Sequence, residues 1–248
     1  RHFADELRAN GRSVIYVPLT DPENTQSLTS EVERHQRSHH FSEWLLTEPG
    51  EWRLKAAFDE LKATLPVPLQ VVHDDRFICS HDDFQAFLKG RKQPRMEHFY
   101  RKIRQSTGIL MDGSDPVGGQ WNFDHDNRKA LDQRATPNPP QWPLDSITEA
   151  VIELVNTRLT DHFGVLDGAD FQWPVNREQA LLMLDHFITA RLPSFGDFQD
   201  AMVLGKDTLF HSLISTSLNL GLLRPMEVCQ AARSEERRVG KECRSRWS

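Results

Sequence analysis

The sequence predicts an α/β protein: a parallel sheet layer with covering helices, followed by an all-helical segment. Three observations carry this reading. Amphipathic stretches alternate with short apolar runs up to residue 72, the order that builds parallel sheets. Residues 132–146 are rich in Pro, Asn and Gln and read as a linker or extended crossover. Beyond them only helical periodicity is found, which places a domain change near residue 140.

The first element is an amphipathic helix, RHFADELRANG, with Gly11 as its stop. Arg1 begins inside it, and SVIYVPL (13–19) follows as a short apolar strand. A helix ahead of a buried strand suggests that an earlier strand precedes residue 1. Asp21-Pro22 opens a polar segment, and residues 28–38 read as a helix. Trp44-Leu45-Leu46 is the next strand, ending at TEPGEW. Open α/β sheets place ligands where a strand's C-terminal end meets a loop and helix, which makes Glu48, Glu51 and Arg53 site candidates. The plainer alternative is strand-to-helix punctuation with a surface ion pair. Leu54, Ala57, Phe58 and Leu61 mark one face of a helix that Pro66 ends. Residues 67–72, VPLQVV, form the following strand.

A turn and another helix follow in HDDRFICSHDDFQAFLKGR, with His81 or Asp82 near the N-cap. His73, Asp74, Asp75, His81, Asp82 and Asp83 match no standard metal spacing and read as caps and solvated charge. The next helix carries Met96, Phe99, Tyr100 and Ile103 on one face, and Gly108 is placed to stop it. Asp112-Gly113, Asp115-Pro116 and Gly118-Gly119 are turn signals. Trp121 and Phe123 follow in this polar, turn-rich stretch and must be buried against something. They clamp an ordered loop onto a domain, or they line a crossover between domains or beside a ligand. Arg91, Lys92, Arg95, Arg101, Lys102 and Arg104 form a candidate basic patch or a solvated helix face.

In the C-terminal part Asp145 or Ser146 can cap a helix through Leu159, with Ile147, Val151, Leu154 and Val155 on one side. Residues 176–192 form a second helix, and Asn176 with Gln179 resembles a capping pair. A third is read over 208–222, after Gly205-Lys206. His211, Ser212 and Ser215 lie near its start. A helix N-terminus attracts anions, and hydroxyls there could hold a phosphate. Alternatively they bond back to the preceding turn.

The composition bounds function. The 248 residues are 38% hydrophobic with a net charge of −6, enough for one large or two small domains. No apolar run approaches the ~20 residues of a membrane span, and no signal-peptide pattern opens the chain. The simplest reading is a cytoplasmic, monomeric protein with no membrane partner. Cys79, Cys229 and Cys243 form no CxxC pair. Residues 233–248 carry five Arg and one Lys against three Glu and read as a vector-derived, non-native tail, with a genuine basic interaction tail as the alternative.

YRKIRQSTGILMDGSDPVGGQWNFDHDNRKAL (100–131), TEPGEWR (47–53) and HSLISTSLNLGLL (211–223) resemble, in order, segments of the photolyase-related proteins. These are the iron–sulfur bacterial cryptochromes and (6-4) photolyases of the cryptochrome/photolyase family. The resemblance runs to about residue 232. It implies an incomplete, Rossmann-like antenna domain with its crossover over 1–131, a linker over 132–146, and the start of a helical FAD-binding domain over 147–232. It also implies FAD as cofactor, with a ribityllumazine antenna and a 4Fe-4S cluster in the full-length protein, and damaged DNA as partner. The implied activity is light-driven repair of (6-4) photoproducts. A cryptochrome-type photoreceptor and a non-catalytic α/β interaction module are the alternatives.

In that family a Thr-Ser-x-Leu-Ser run binds the FAD diphosphate. Here His211 stands at Thr, Ser212 and Ser215 match Ser, Leu213 takes the variable place and Ile214 matches Leu. Thr216 and Ser217 replace the usual Pro-Tyr, and Phe195 stands where an upstream Tyr is usual. The four cluster thiolates and the catalytic histidine are not found in this sequence, so no catalytic residue is assigned and no metal ligand is expected.

Overall fold

The computed structural model describes residues 1–122, 129–131 and 135–234. It combines a small parallel sheet with many helices, in two compact units: residues 3–80, and residue 81 onward.

In the first unit, α1 (His2–Ala9) is followed by α2 (Leu28–His39), capped by the Ser27 hydroxyl accepting the Ser30 N–H. Strand β1 (Trp44–Thr47) pairs in parallel with β2 (Leu69–Val72), and Trp44 stands opposite Leu69. Between them runs α3 (Trp52–Thr64), the right element for a parallel crossover. Phe58 and Leu61 from α3 and Leu69 from β2 form the core, with Val32, Trp44, Leu46 and Leu65 packed on it. The Trp44 indole N–H donates to Gln36 Oε1 at 2.8 Å, which lets a polar glutamine stay buried in α2.

The predicted strand over 13–19 is a correction: this segment carries no strand pairing. A strand is stabilised by a neighbour's ladder, and among the described residues this segment joins neither edge of the two-stranded sheet. Ile15 and Tyr16 are accordingly exposed.

The second unit begins with α4 (His81–Leu88) and α5 (Met96–Thr107), whose aromatic faces meet through Phe84, Phe87 and Phe99. Gly108 ends α5 at φ 64°, a left-handed stop that glycine takes without a Cβ penalty. The turn residues that follow form a two-residue hairpin between β3 (Met111–Asp112) and β4 (Asp115–Pro116). Residues 135–145 run without helix or strand, and Trp142 packs onto the helical core beyond.

After α6 (Ser146–Arg158), that core is built by α7 (Arg177–His186), a wide π-helical turn (Phe187–Arg191), α8 (Leu192–Phe198) and α9 (Ser215–Asn219). Residues 225–234 are helical as well. Asp145 caps α6 by accepting the Thr148 N–H at 2.8 Å. Asn176 caps α7 through the Gln179 N–H, and the Gln179 side chain accepts the Val175 N–H in return. No strand is found past residue 116 among the described residues.

The π turn has a readable cause. Pro193 has no N–H to give the carbonyl of Thr189, and its ring crowds that carbonyl. The Thr189 hydroxyl meanwhile donates to Asp185 O at 2.8 Å, a bond that loosens the local helical ladder.

Candidate functional site

The candidate residues of the C-terminal segment lie on a loop, not on the long helix the sequence suggested. Only Ser215–Asn219 is helical, and residues 208–214 carry no regular structure. Two things break the helix. Leu213 takes a left-handed backbone, φ 59°. The carbonyls of Leu209 and His211, which an α-helix would direct to the N–H groups of 213 and 215, accept from Arg191 instead.

Arg191 is fully buried. Its Nη1 donates to Leu209 O at 2.5 Å and His211 O at 3.2 Å, its Nη2 to Pro137 O at 2.6 Å, and its Nε to His186 Nε2 at 3.3 Å. None of these partners is a carboxylate. Burial pushes the guanidinium below its ordinary value. Burial first, then the nearby Arg191 charge, push the His186 imidazole down, in keeping with its role as a neutral acceptor. The side chains of 209–214 go to two places. Leu209 and Phe210 pack with Phe198 and Ala201, whereas Ile214 joins Ala180, Leu184, Phe187 and Ile188.

Within this loop His211 is half-buried and contacts Ala201 O through Nε2 at 3.3 Å. Ser212 and Leu213 are half-buried, Ile214 is buried just before α9, and Ser215 is exposed in the first turn. The next two hydroxyls, Thr216 Oγ1 and Ser217 Oγ, are buried with no hydrogen-bond partner among the described residues, and Ser217 is wholly enclosed. An orphaned hydroxyl in such a place is costly. A depression of about 430 Å³ beside the loop is lined by Asn138, Pro139, Gln141, Gln172, Asp207 and Thr208. Phe195 stands edge-on to Phe187 at 5.3 Å and packs against the same core.

Arg191 was not among the residues the sequence singled out. Its signal was present: it continues the buried face of Ala180, Leu184, Phe187 and Ile188, where a charged residue is out of place.

Several of the other candidates make local contacts. Glu51 pairs with Arg53 beside the start of α3, and His73 Nδ1 lies 3.7 Å from Glu48. Asp74 is buried and gripped by Arg76 at 2.6 Å, which holds its carboxyl below the usual range. Of the basic patch, Arg91 lies over the Phe87 ring and donates to Phe87 O, Lys102 donates to Asp83 O, and Arg101 pairs with Glu97. Arg104 is buried and donates to Leu110 O. Trp121 is half-buried, with the Arg101 and Arg104 guanidinium carbons each 5.3 Å from its ring centre. Phe123 lies outside the described residues.

Two groups of donors can be weighed against the expected cofactors. The hydroxyls of Ser212, Ser215, Thr216 and Ser217 are the type that a flavin diphosphate takes as hydrogen-bond partners. A 4Fe-4S cluster needs four thiolates, and the chain has three cysteines, so its residues do not fit that group. Cys79 and Cys229 are half-buried, and burial pushes the Cys229 thiol up.

Among the described residues no helix is long and apolar enough to cross a membrane. A (6-4) photolyase of Agrobacterium fabrum is 41% identical over 233 residues, covering 94% of this chain and 46% of that protein. An uncharacterized protein of Acanthamoeba polyphaga mimivirus is 25% identical over 136 residues, 53% of this chain and 66% of its own length. The chain thus spans about half the length of the photolyase it matches. A family model described as deoxyribodipyrimidine photo-lyase-related protein matches residues 1–173. The chain belongs to the deoxyribodipyrimidine photo-lyase-related family.

Proposed function

We propose that this chain is part of a flavin-dependent, light-driven DNA photolyase that repairs (6-4) photoproducts. The observation that carries the reading is the 41% identity to a (6-4) photolyase across nearly the whole chain. In this reading residues 1–131 form the Rossmann-like antenna portion and 147–232 open the FAD-binding domain. The segment His211, Ser212, Leu213, Ile214 and Ser215 holds the FAD diphosphate, through the serine hydroxyls and loop N–H groups. Two buried, unpartnered hydroxyls directly after it support a polar ligand there. When bound, the flavin supplies light-driven electron transfer to the lesion. A 4Fe-4S cluster and the antenna chromophore belong, in this proposal, to segments of the parent protein outside this sequence.

The test has two arms. Purified chain incubated with FAD and desalted should retain flavin absorbance weakly, since a pocket with few of its walls buries little ligand. The parent protein should repair a (6-4) lesion in light. Changing both Ser212 and Ser215 to Ala there should lower flavin occupancy and repair together. A parent that carries no flavin and repairs nothing overturns the proposal.

A further inference from the structure

We propose that Arg191 is a positioning residue for the 211–215 segment, setting the backbone that presents Ser212 and Ser215 to their ligand. The ligand itself rests on the flavin reading above. A guanidinium with no exposed surface and, among the described residues, no carboxylate partner is expensive to bury, and it is kept here by bonds to three carbonyls and an imidazole. Those bonds do not tie a helix to itself. They join three separate stretches: the π turn that carries Arg191, the proline-rich segment at Pro137, and the loop at Leu209 and His211.

Apart from its buried apolar ends and the His211 contact to Ala201 O, the loop has little else to fix its backbone. Residues 202–207 are exposed, and Met202 and Leu204 are almost wholly so. The apolar side chains 209–210 and 213–214 anchor its ends in different clusters. Between those anchors Arg191 takes the carbonyl of His211, one residue before Ser212. The Leu213 left-handed turn follows immediately. A planar fork with several donors suits this task, because it can hold carbonyls from two directions at once. The π turn supplies the aim. It widens the helix directly before Arg191, and such turns are often found where a side chain must be re-directed. His186, the last residue of α7, completes the grip by accepting Nε–H at the back of the guanidinium.

The experiment compares the full chain with Arg191→Met and Arg191→Lys. Amide hydrogen exchange is followed at residues 207–214 in the absence of FAD, with the amides of α6 as the internal control. FAD is then titrated into each protein. Met fills the stem but donates nothing, and a single lysine nitrogen cannot span all three carbonyls. Exchange at 207–214 should rise about ten-fold or more in Arg191→Met, less in Arg191→Lys, with α6 unchanged. FAD affinity should fall about ten-fold or more in Arg191→Met and be partly recovered in Arg191→Lys. Unchanged exchange at 207–214, or a rise shared equally by α6, overturns the proposal, and so does faster exchange with FAD affinity intact. Should Arg191→Met fail to fold, Arg191→Lys carries both readouts. Wild-type chain that takes up no FAD counts against the flavin reading, and the exchange result then decides Arg191's role alone.

Discussion

Replacing Arg104 with Met should unlock the stretch that joins α5 to the Gly-rich hairpin. Arg104 is 7% exposed. Its Nη2 donates to Leu110 O at 2.5 Å, and longer contacts of 3.4 Å reach Ile109 O and the Tyr100 hydroxyl. Leu110 is one of few non-glycine residues with a left-handed backbone, φ 50°, and its carbonyl also accepts the Val117 N–H at 2.8 Å. A buried bond from a charged donor contributes about 1.5–3 kcal/mol, and the long contacts add little. Contacts with the Trp121 and Tyr100 rings add about 0.5–1 kcal/mol each. Against this, Met no longer has a charge to desolvate, a gain of a few kcal/mol. The net loss expected for R104M is about 2 kcal/mol. Urea unfolding followed by circular dichroism measures it, and acrylamide quenching reports whether Trp121 has become accessible. Arg101 is the control. It meets the same ring but is paired on the helix surface with Glu97, so R101Q should cost about 0.5 kcal/mol or less. R104M within 0.5 kcal/mol of wild type, or R101Q as harmful as R104M, would refute the reasoning.

Other perturbations follow from single contacts. Asp145→Ala removes the cap of α6 and should cost about 1 kcal/mol in a denaturant titration, whereas Asp145→Asn should retain most of it. Asp145 is held at about 2, chiefly by the Thr148 N–H it accepts. Its folded value is thus below its unfolded one, so its contribution is present above about pH 4 and lost as pH falls toward 2. Thermal melts of wild type and Asp145→Ala should therefore converge over that window. Asp74 has the same sign, lowered by Arg76, so Asp74→Asn should destabilise the first unit at neutral pH and progressively less as pH drops below the carboxylate range. Cys229, its thiol pushed up by burial, should react with a disulfide reagent more slowly than an exposed thiol in the unfolded chain, and equal rates would contradict its placement. Pro193→Ala returns an N–H to the carbonyl of Thr189 and should let the π turn relax toward α-helix, read as a change in the chemical shifts of residues 187–192.

Much of this architecture was legible because it rests on local chemistry. Asp145 and Asn176 each announced a helix start, and each side chain does accept the third N–H along. Gly108 announced a stop and takes the left-handed backbone a stop needs. The parallel pairing of 44–47 with 69–72 followed from two apolar runs separated by a helix-length amphipathic stretch. The segment 13–19 has equal strand propensity, yet propensity cannot supply a neighbour, and without one its N–H and C=O groups have no ladder to join.

The misread helix over 208–222 and the overlooked Arg191 are one error. Leu209, Phe210, Leu213 and Ile214 are spaced i, i+1, i+4 and i+5, which a periodicity reading assigns to one helical face. That assignment assumes a single partner surface. In the fold the first pair enters the cluster of Phe198 and Ala201, and Ile214 enters that of α7 and the π turn. A rigid helix could not serve both, so the chain turns between them at Leu213. Turning frees carbonyls that must then be satisfied from elsewhere in a buried setting. A donor for them has to be long, forked and able to remain charged indoors, and only arginine meets all three conditions. The charge that looked misplaced on the apolar face of 180–191 and the helix that failed to form at 208 are therefore each other's explanation, linked by bonds that span 18 and 20 residues of sequence.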